Sequence, residues 1–160
     1  MPGDPSSFAA LTYTLNLNDC IFTRSYDAAS RTFSNVSAEG RTQPDVINAP
    51  GQIVAQQYVN LAESRYGYDT LGRLTSLGQG TGAELRHTTL DYDLSGYLRS
   101  ITDTLGQGTV FDRDLVGRVT RPTLPDGRVI DYTYDDHGNV TSITPPGRPR
   151  HAFAYTPIDQ

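Results

Sequence analysis

The chain is 160 residues long, 36 % apolar, with no Trp, 15 Gly and 10 Pro. Its formal charge is −5 and its thirteen basic residues are all Arg, scattered rather than clustered, which excludes a basic patch for nucleic acid. One cysteine, Cys20, excludes an intrachain disulfide, and no run approaches the roughly 18 apolar residues of a membrane helix.

Residues 1–10, opening Met1-Pro2-Gly3-Asp4-Pro5, read as a disordered leader with no charged-then-apolar signal segment. Residues 11–26 alternate (Leu11, Tyr13, Leu15, Leu17), which predicts one long strand or a hairpin of lead-in strands. From residue 24 a repeat begins. Its anchors are Asp69, Asp93, Asp114 and Asp135, at steps of 24, 21 and 21 residues, and Asp27 lies two steps of 21 before Asp69. A fixed period of this size marks a repeat architecture.

An aromatic residue usually precedes the anchor: Tyr26, Tyr68, Tyr92, Tyr134, and Tyr155 at the next step. Three places after the anchor stands glycine, at Gly72, Gly96, Gly117 and Gly138, with Gly51 in phase. Asp followed by such a Gly predicts a turn, because the carboxylate bonds turn amides and glycine accepts a positive φ. A valine at Gly138 should therefore be resisted. Aromatic residues two apart, as at Tyr132 and Tyr134, predict strands with those rings on one face. Apolar residues three apart, as at Leu74 and Leu77, break strict alternation and predict a bulge or strand end.

A second turn closes each unit, most plainly at Leu124-Pro125-Asp126-Gly127. Residues 24–65 read as degenerate repeats. There Ile47–Ile53 keeps its glycine but loses the Tyr-Asp pair, and residues 34–50 look least regular, with a loop at Ser37–Gly40. Ile53–Ser64 has a trace of helical spacing, but its phase favours strand. Residues 66–160 read as well-formed repeats, the last truncated, with the three-residue insertion assigned to Gly78–Gly82. The prediction is all-β: antiparallel β-hairpin repeats of about 21 residues forming a curved, solenoid-like sheet.

The strongest chemical candidate is Asp135-Asp136-His137 with Asp131 nearby, a donor set that fits a divalent ion. The same residues fill a predicted turn, where polar side chains are expected anyway, so no metal, cofactor or catalytic residue is assigned. His87 and His151 fall in connecting strands. Cys20 has no evident activating partner. Asn35-Val36-Ser37 and Asn139-Val140-Thr141 match the glycosylation pattern but sit inside the repeat. Tyrosines at matching phase are expected to stack across the sheet, with glycan binding by exposed rings as the rival reading.

The run Tyr132-Thr133-Tyr134-Asp135-Asp136-His137-Gly138-Asn139-Val140-Thr141-Ser142-Ile143 resembles the YD repeat of the Rhs family, found also in the Tc toxin C component, polymorphic toxins and teneurins. Tyr68–Leu77 and Tyr92–Ile101 resemble it equally, though Tyr97 stands where Arg is usual. Arg113 stands where Tyr is usual, so that repeat is expected to lose its aromatic contact. The resemblance implies a sheet of hairpins that spirals into a hollow shell enclosing a C-terminal toxin. It implies partners in the rest of the shell and its toxin domain, and a parent protein that is secreted or on the cell surface. The family's Asp-Pro-x-Gly cleavage element is not found and the chain ends in repeat sequence, so no catalytic residue carries over and a fragment is expected. Its raw edges would invite self-association.

Overall fold

The computed structural model describes residues 9–156. Among them are fourteen strands and no α-helix. The chain forms two compact units, residues 1–87 and 88–160.

The first unit is an antiparallel meander in chain order. Its strands are β1 (Ala10–Leu17), β2 (Cys20–Asp27), β3 (Thr32–Val36), β4 (Thr42–Ile47), β5 (Ile53–Gln56), β6 (Ser64–Tyr68) and β7 (Leu74–Gln79). β1 and β2 join through Asn18 and Asp19, at φ 50° and 63°. Two positive values in a two-residue loop give the turn whose twist matches that of the flanking strands. The alternation of residues 11–26 is thus a hairpin, with Leu15 opposite Phe22 and Tyr13 opposite Arg24.

The second unit contains β8 (Arg86–Tyr92, its first two residues in the first unit), β9 (Leu98–Asp103), β10 (Gly108–Arg113) and β11 (Val119–Thr123). It ends with a three-stranded sheet of β12 (Asp131–Tyr134), β13 (Val140–Thr144) and β14 (His151–Ala152). Its neighbouring strands are also antiparallel. β11 meets this sheet at the bridge Thr123–Val129 and through Ile130 N–H to Pro122 O, 3.1 Å.

One device recurs in the hairpins. The register slips by one residue between Gly67 and Tyr68, Asp91 and Tyr92, Asp112 and Arg113, and Thr133 and Tyr134. Between Val46 and Ile47 it slips in the same way. Thr75, Arg99, Thr120, Thr141 and Val54 are the extra residues. The bulge explains the apolar spacing of three. Tyr66 faces Leu77 and Tyr68 faces Leu74, so both leucines share one face only because Thr75 is extruded.

The turns share one geometry. Asp69 N–H donates to Arg73 O at 3.0 Å and Gly72 N–H to Asp69 O at 3.0 Å; Asp93, Asp103, Asp114, Leu124 and Asp135 open equivalent turns. The fourth residue is a glycine between φ +76° and +91° in all six. This is a three-residue loop with a left-handed residue closing it.

Three expectations are corrected. Residues 34–50 are not irregular: β3 and β4 pair over five positions, and Ser37–Arg41 makes the same turn, with Gly40 at φ +76°. The insertion lies at residues 80–85, where Gly82–Glu84 forms a 3-10 turn, because Gly78 and Gln79 are still paired in β7. Asp27 does not open the common turn: its loop spans four residues, and Arg31 rather than residue 30 takes the positive φ, 51°. Of the expected leader, residues 1–8 lie outside the described residues, and Ala10 already belongs to β1.

Among the described residues of each unit, the main strand contacts run between neighbours in chain order. Among the described residues the buried positions are Tyr26 (4 % exposed), Asp45, Pro122 and Ser142. Tyr26 lies opposite Phe33, ring centroids 4.7 Å apart, and Arg24 stacks on the Phe33 ring at 4.3 Å. Stability therefore rests on ladder hydrogen bonds, cross-strand pairs and the bonds between repeats.

Candidate functional site

The anchors act inside the turns. Asp69 Oδ1 accepts the N–H groups of Leu71 and Arg73, both at 2.9 Å, and Oδ2 accepts Arg73 Nε at 2.7 Å. Asp114 repeats this with Val116 and Arg118. Asp135 does so with His137 and Asn139, the Asn139 amide replacing the guanidinium. Asp93 accepts Tyr97 N–H at 2.9 Å.

At Asp69, Asp114 and Asp135 these bonds hold the carboxyl below the usual range. The Arg73 backbone N–H leads at Asp69, and the Asn139 side chain at Asp135. At Asp114 partial burial pushes upward and is outweighed by the Arg118 side chain and backbone with Val116. Asp27 and Asp126 are lowered too, led by the Ser30 hydroxyl and the Arg128 backbone N–H.

Three of the anchor tyrosines reach back one repeat. Tyr68 Oη donates to Ile53 O at 2.9 Å, Tyr134 Oη to Val119 O at 2.6 Å, and Tyr155 Oη to Val140 O at 2.9 Å, each fifteen residues upstream. The tyrosine row is interleaved rather than stacked. Val140, on β13, faces Tyr134, while Tyr155 follows β14. Tyr26 is the exception, packed directly on Phe33. Tyr92 faces Leu98 at its bulge.

The arginine after the glycine completes the link. Arg118 stacks on the Tyr134 ring of the next repeat at 4.7 Å and donates Nη1 to Asp135 O at 2.9 Å. In one repeat the two roles are exchanged. Tyr97 stands in the arginine position, and Arg113 stacks on its ring at 5.4 Å from the tyrosine position. Arg113 also donates Nη2 to Leu98 O, fifteen residues upstream, at 3.1 Å, and Nη1 to Gly117 O at 2.9 Å. That repeat keeps both its aromatic contact and its carbonyl bond, contrary to expectation.

Sequence reasoning missed one further anchor. Asn48 opens the turn before Gly51: its Oδ1 accepts Gln52 N–H at 2.8 Å, and Gln52 Nε2 reaches Gly72 O at 2.8 Å. Asn48 lies 21 residues before Asp69, so phase alone would have found it. The bonds of Asp45 carried no such signal. This buried carboxylate accepts Asn35 Nδ2 at 2.8 Å, Gln43 Nε2 at 3.2 Å and Gln56 Nε2 at 2.9 Å.

The chemical candidates do not converge. Asp135 is engaged in its turn, and among the described residues no three His, Cys, Asp or Glu side chains are grouped to hold a metal. His87 lies in β8 and His151 in β14. Cys20 is free and exposed at the first turn. Both glycosylation-pattern amides are hydrogen-bonded, Asn35 to Asp45 and Asn139 to Asp135. No described helix is long and apolar enough to cross a membrane.

A concavity of about 730 Å³ in the first unit is lined by residues of β1–β4, the turn between β3 and β4, and the loop after β5. Its apolar lining includes Tyr13, Leu15, Phe22, Tyr58, Val59 and Leu61. Arg24 and Arg41 supply its only charges.

Comparison with known proteins agrees with this arrangement. The chain is similar in fold to the Tc holotoxin pore of Photorhabdus luminescens, at 13 % identity and a TM-score of 0.56, covering 84 % of this chain and 10 % of that one. It is similar also to the crystal structure of TcdB2-TccC3-TEV, at 14 % identity and a TM-score of 0.54, covering 90 % of this chain and 11 % of that one. The chain thus spans about a tenth of the length of these neighbours. A sequence profile of the Teneurin YD-shell family matches residues 10–158, nearly the whole chain, and the protein belongs to that family.

Proposed function

We propose that this chain is a wall segment of an Rhs-type shell that encloses a toxin cargo, and that it performs no catalysis of its own. The carrying observation is the repeat linkage: each unit is a single layer of hairpins, tied to the preceding repeat by a side chain bonding a carbonyl fifteen residues back. Such a wall grows by adding identical links, each contributing neighbour contacts only. Its partners are the rest of the shell and a C-terminal toxin domain, in a parent that is secreted or on the cell surface. The anchors Tyr26, Tyr68, Tyr92, Tyr134, Tyr155, Asp69, Asp93, Asp114, Asp135, Gly72, Gly96, Gly117 and Gly138 serve as structural repeat residues. The hydroxyls of Tyr68, Tyr134 and Tyr155 are already bonded, which weighs against glycan capture by that row.

The test is protease protection in the parent polypeptide. A cargo enclosed by the intact chain should resist proteolysis, and deleting one repeat, residues 114–134, should expose it. A cargo cut equally fast with and without the deletion would refute enclosure.

A further inference from the structure

The loop after β5, residues 57–63, closes a hairpin that is loosely joined. β5 and β6 pair at two positions, Ala55 with Arg65 and Gln56 with Ser64, whereas β4–β5 pairs at three and β6–β7 at five. Residues 58–62 are all exposed. The loop is nevertheless folded on itself. Gln57 Nε2 donates to Leu61 O at 2.5 Å and to Tyr58 O at 3.4 Å, Leu61 N–H donates to Tyr58 O at 3.1 Å, and Asn60 takes a left-handed φ of 63°. Its ties to neighbouring strands sit at its two ends and are long. Gln57 N–H reaches Pro44 O at 3.2 Å, Gln79 Nε2 reaches Ala62 O at 3.3 Å, and Gly80 N–H reaches Glu63 O at 3.4 Å. Among the described residues, Tyr58, Val59, Asn60 and Leu61 make no hydrogen bond outside the loop. Few buried contacts and exposed bonds place such a segment at the low-stability end of a fold.

The tip of this loop is apolar where turns are usually polar. Tyr58, Val59 and Leu61 are 45, 51 and 56 % exposed. They line the same concavity as Tyr13, Leu15 and Phe22, which are 61, 60 and 39 % exposed. Those three share one face of the β1–β2 hairpin, since Leu15 lies opposite Phe22 and Tyr13 stands two residues from Leu15. That hairpin is paired over eight positions and is the fixed partner. Three half-exposed apolar side chains on a loosely tied tip therefore border three on a firm face, around one void. Bringing the tip inward removes both sets from water. The turn's internal bonds survive the movement because they lie within the moving piece, and only the long ties at its base are disturbed.

We propose that residues 57–63 are a lid, with its base at Gln57 and Ala62–Glu63, that closes onto Tyr13, Leu15 and Phe22. The first unit then has two states. In the open state the apolar face of β1–β2 is accessible, and in the closed state the chain's own loop covers it. The lid controls access to that face. The proposal concerns the first unit alone and goes beyond the wall reading.

The test uses the whole chain. It contains no Trp, so Tyr58→Trp places a sole indole on the tip. Acrylamide should quench that indole several-fold less than it does when Leu15→Ser and Phe22→Ser are added, because the closed state then loses its apolar seat. Nitrogen-15 relaxation dispersion on the unsubstituted chain should show exchange at Tyr58–Leu61 and at Tyr13, Leu15 and Phe22 with one common rate, on the microsecond-to-millisecond scale of lid motions. Tyr58→Ser with Leu61→Ser should abolish the exchange at β1 and β2. Both of those side chains are exposed, so this variant should keep the parent circular dichroism and melting temperature. If Leu15→Ser with Phe22→Ser unfolds the hairpin, Leu15→Ser alone takes its place. Equal quenching in the two backgrounds, flat dispersion in either group, or separate rates for loop and hairpin would overturn the proposal. None of these measurements involves cargo, so their failure leaves the protease-protection result untouched.

Discussion

Alanine at Gly117 and alanine at Gly138 should differ, and the difference should belong to one ring. Both glycines close an Asp turn, at φ +88° and +91°. A Cβ in that region costs about 1–2 kcal/mol at either site. At Gly138 nothing lies within 4 Å of the new Cβ, so strain is the whole cost. At Gly117 the Cβ would stand 2.3 Å from Tyr97 Cζ and 2.5 Å from its hydroxyl. Tyr97 is 44 % exposed and free to swing outward, so the added cost is the contacts it abandons. The Arg113 stack at 5.4 Å is about 0.5–1 kcal/mol at such a site. Partial re-exposure of the ring adds a similar amount. Gly117→Ala should therefore cost about 1–2 kcal/mol more than Gly138→Ala. Urea unfolding of both variants, repeated with Tyr97→Ala, forms a double-mutant cycle. In the Tyr97→Ala background the two alanines should become equal. Equal costs in the parent background, or a gap that survives removal of Tyr97, would refute the reasoning.

Four further outcomes follow from the same geometry. Tyr134→Phe removes the 2.6 Å bond to Val119 O and should cost about 0.5–1.5 kcal/mol, read as a lower urea midpoint. Exchanging Tyr97 and Arg113 in one double variant should recover most of the stability lost by either single change, because the pair then matches Arg118 on Tyr134; additive losses would sink the exchange idea. Asp45→Ala strands the amides of Asn35, Gln43 and Gln56 and should cost about 1–3 kcal/mol by the same melt, whereas an exposed aspartate such as Asp136 should be near neutral. Asp27, Asp69, Asp114, Asp126 and Asp135 are all held below the unfolded aspartate value of about 3.9. Their contribution is full above that value and is lost as pH falls through the lowered folded values. The melting temperature should therefore be flat above about pH 5 and drop below about pH 4; a protein equally stable across that range would contradict the turn bonds.

The period, the turns and the strand class were all legible in the chain, because each depends on neighbours in sequence. An aspartate three residues before a glycine specifies its turn from within five residues. Apolar residues three apart signalled the bulge, and Asn48 was legible in principle through its phase. The loop at Ser37–Gly40 was legible, but the regularity of the hairpin around it was not, because that turn carries neither Tyr nor Asp although its backbone bonds are the same. What only the tertiary structure decided lies between strands. Strand order places Val140 between Tyr134 and Tyr155, so those tyrosines bond carbonyls instead of stacking. Arg113 and Tyr97 each looked like a defect, and only their contact across adjacent repeats shows an exchange of roles. The cleft with Arg24 and Arg41 gathers side chains of β1–β4 and of the loop after β5, separated by dozens of positions. Local geometry repeats with the sequence; a contact between repeats needs the register of both strands, and register is a property of the pair.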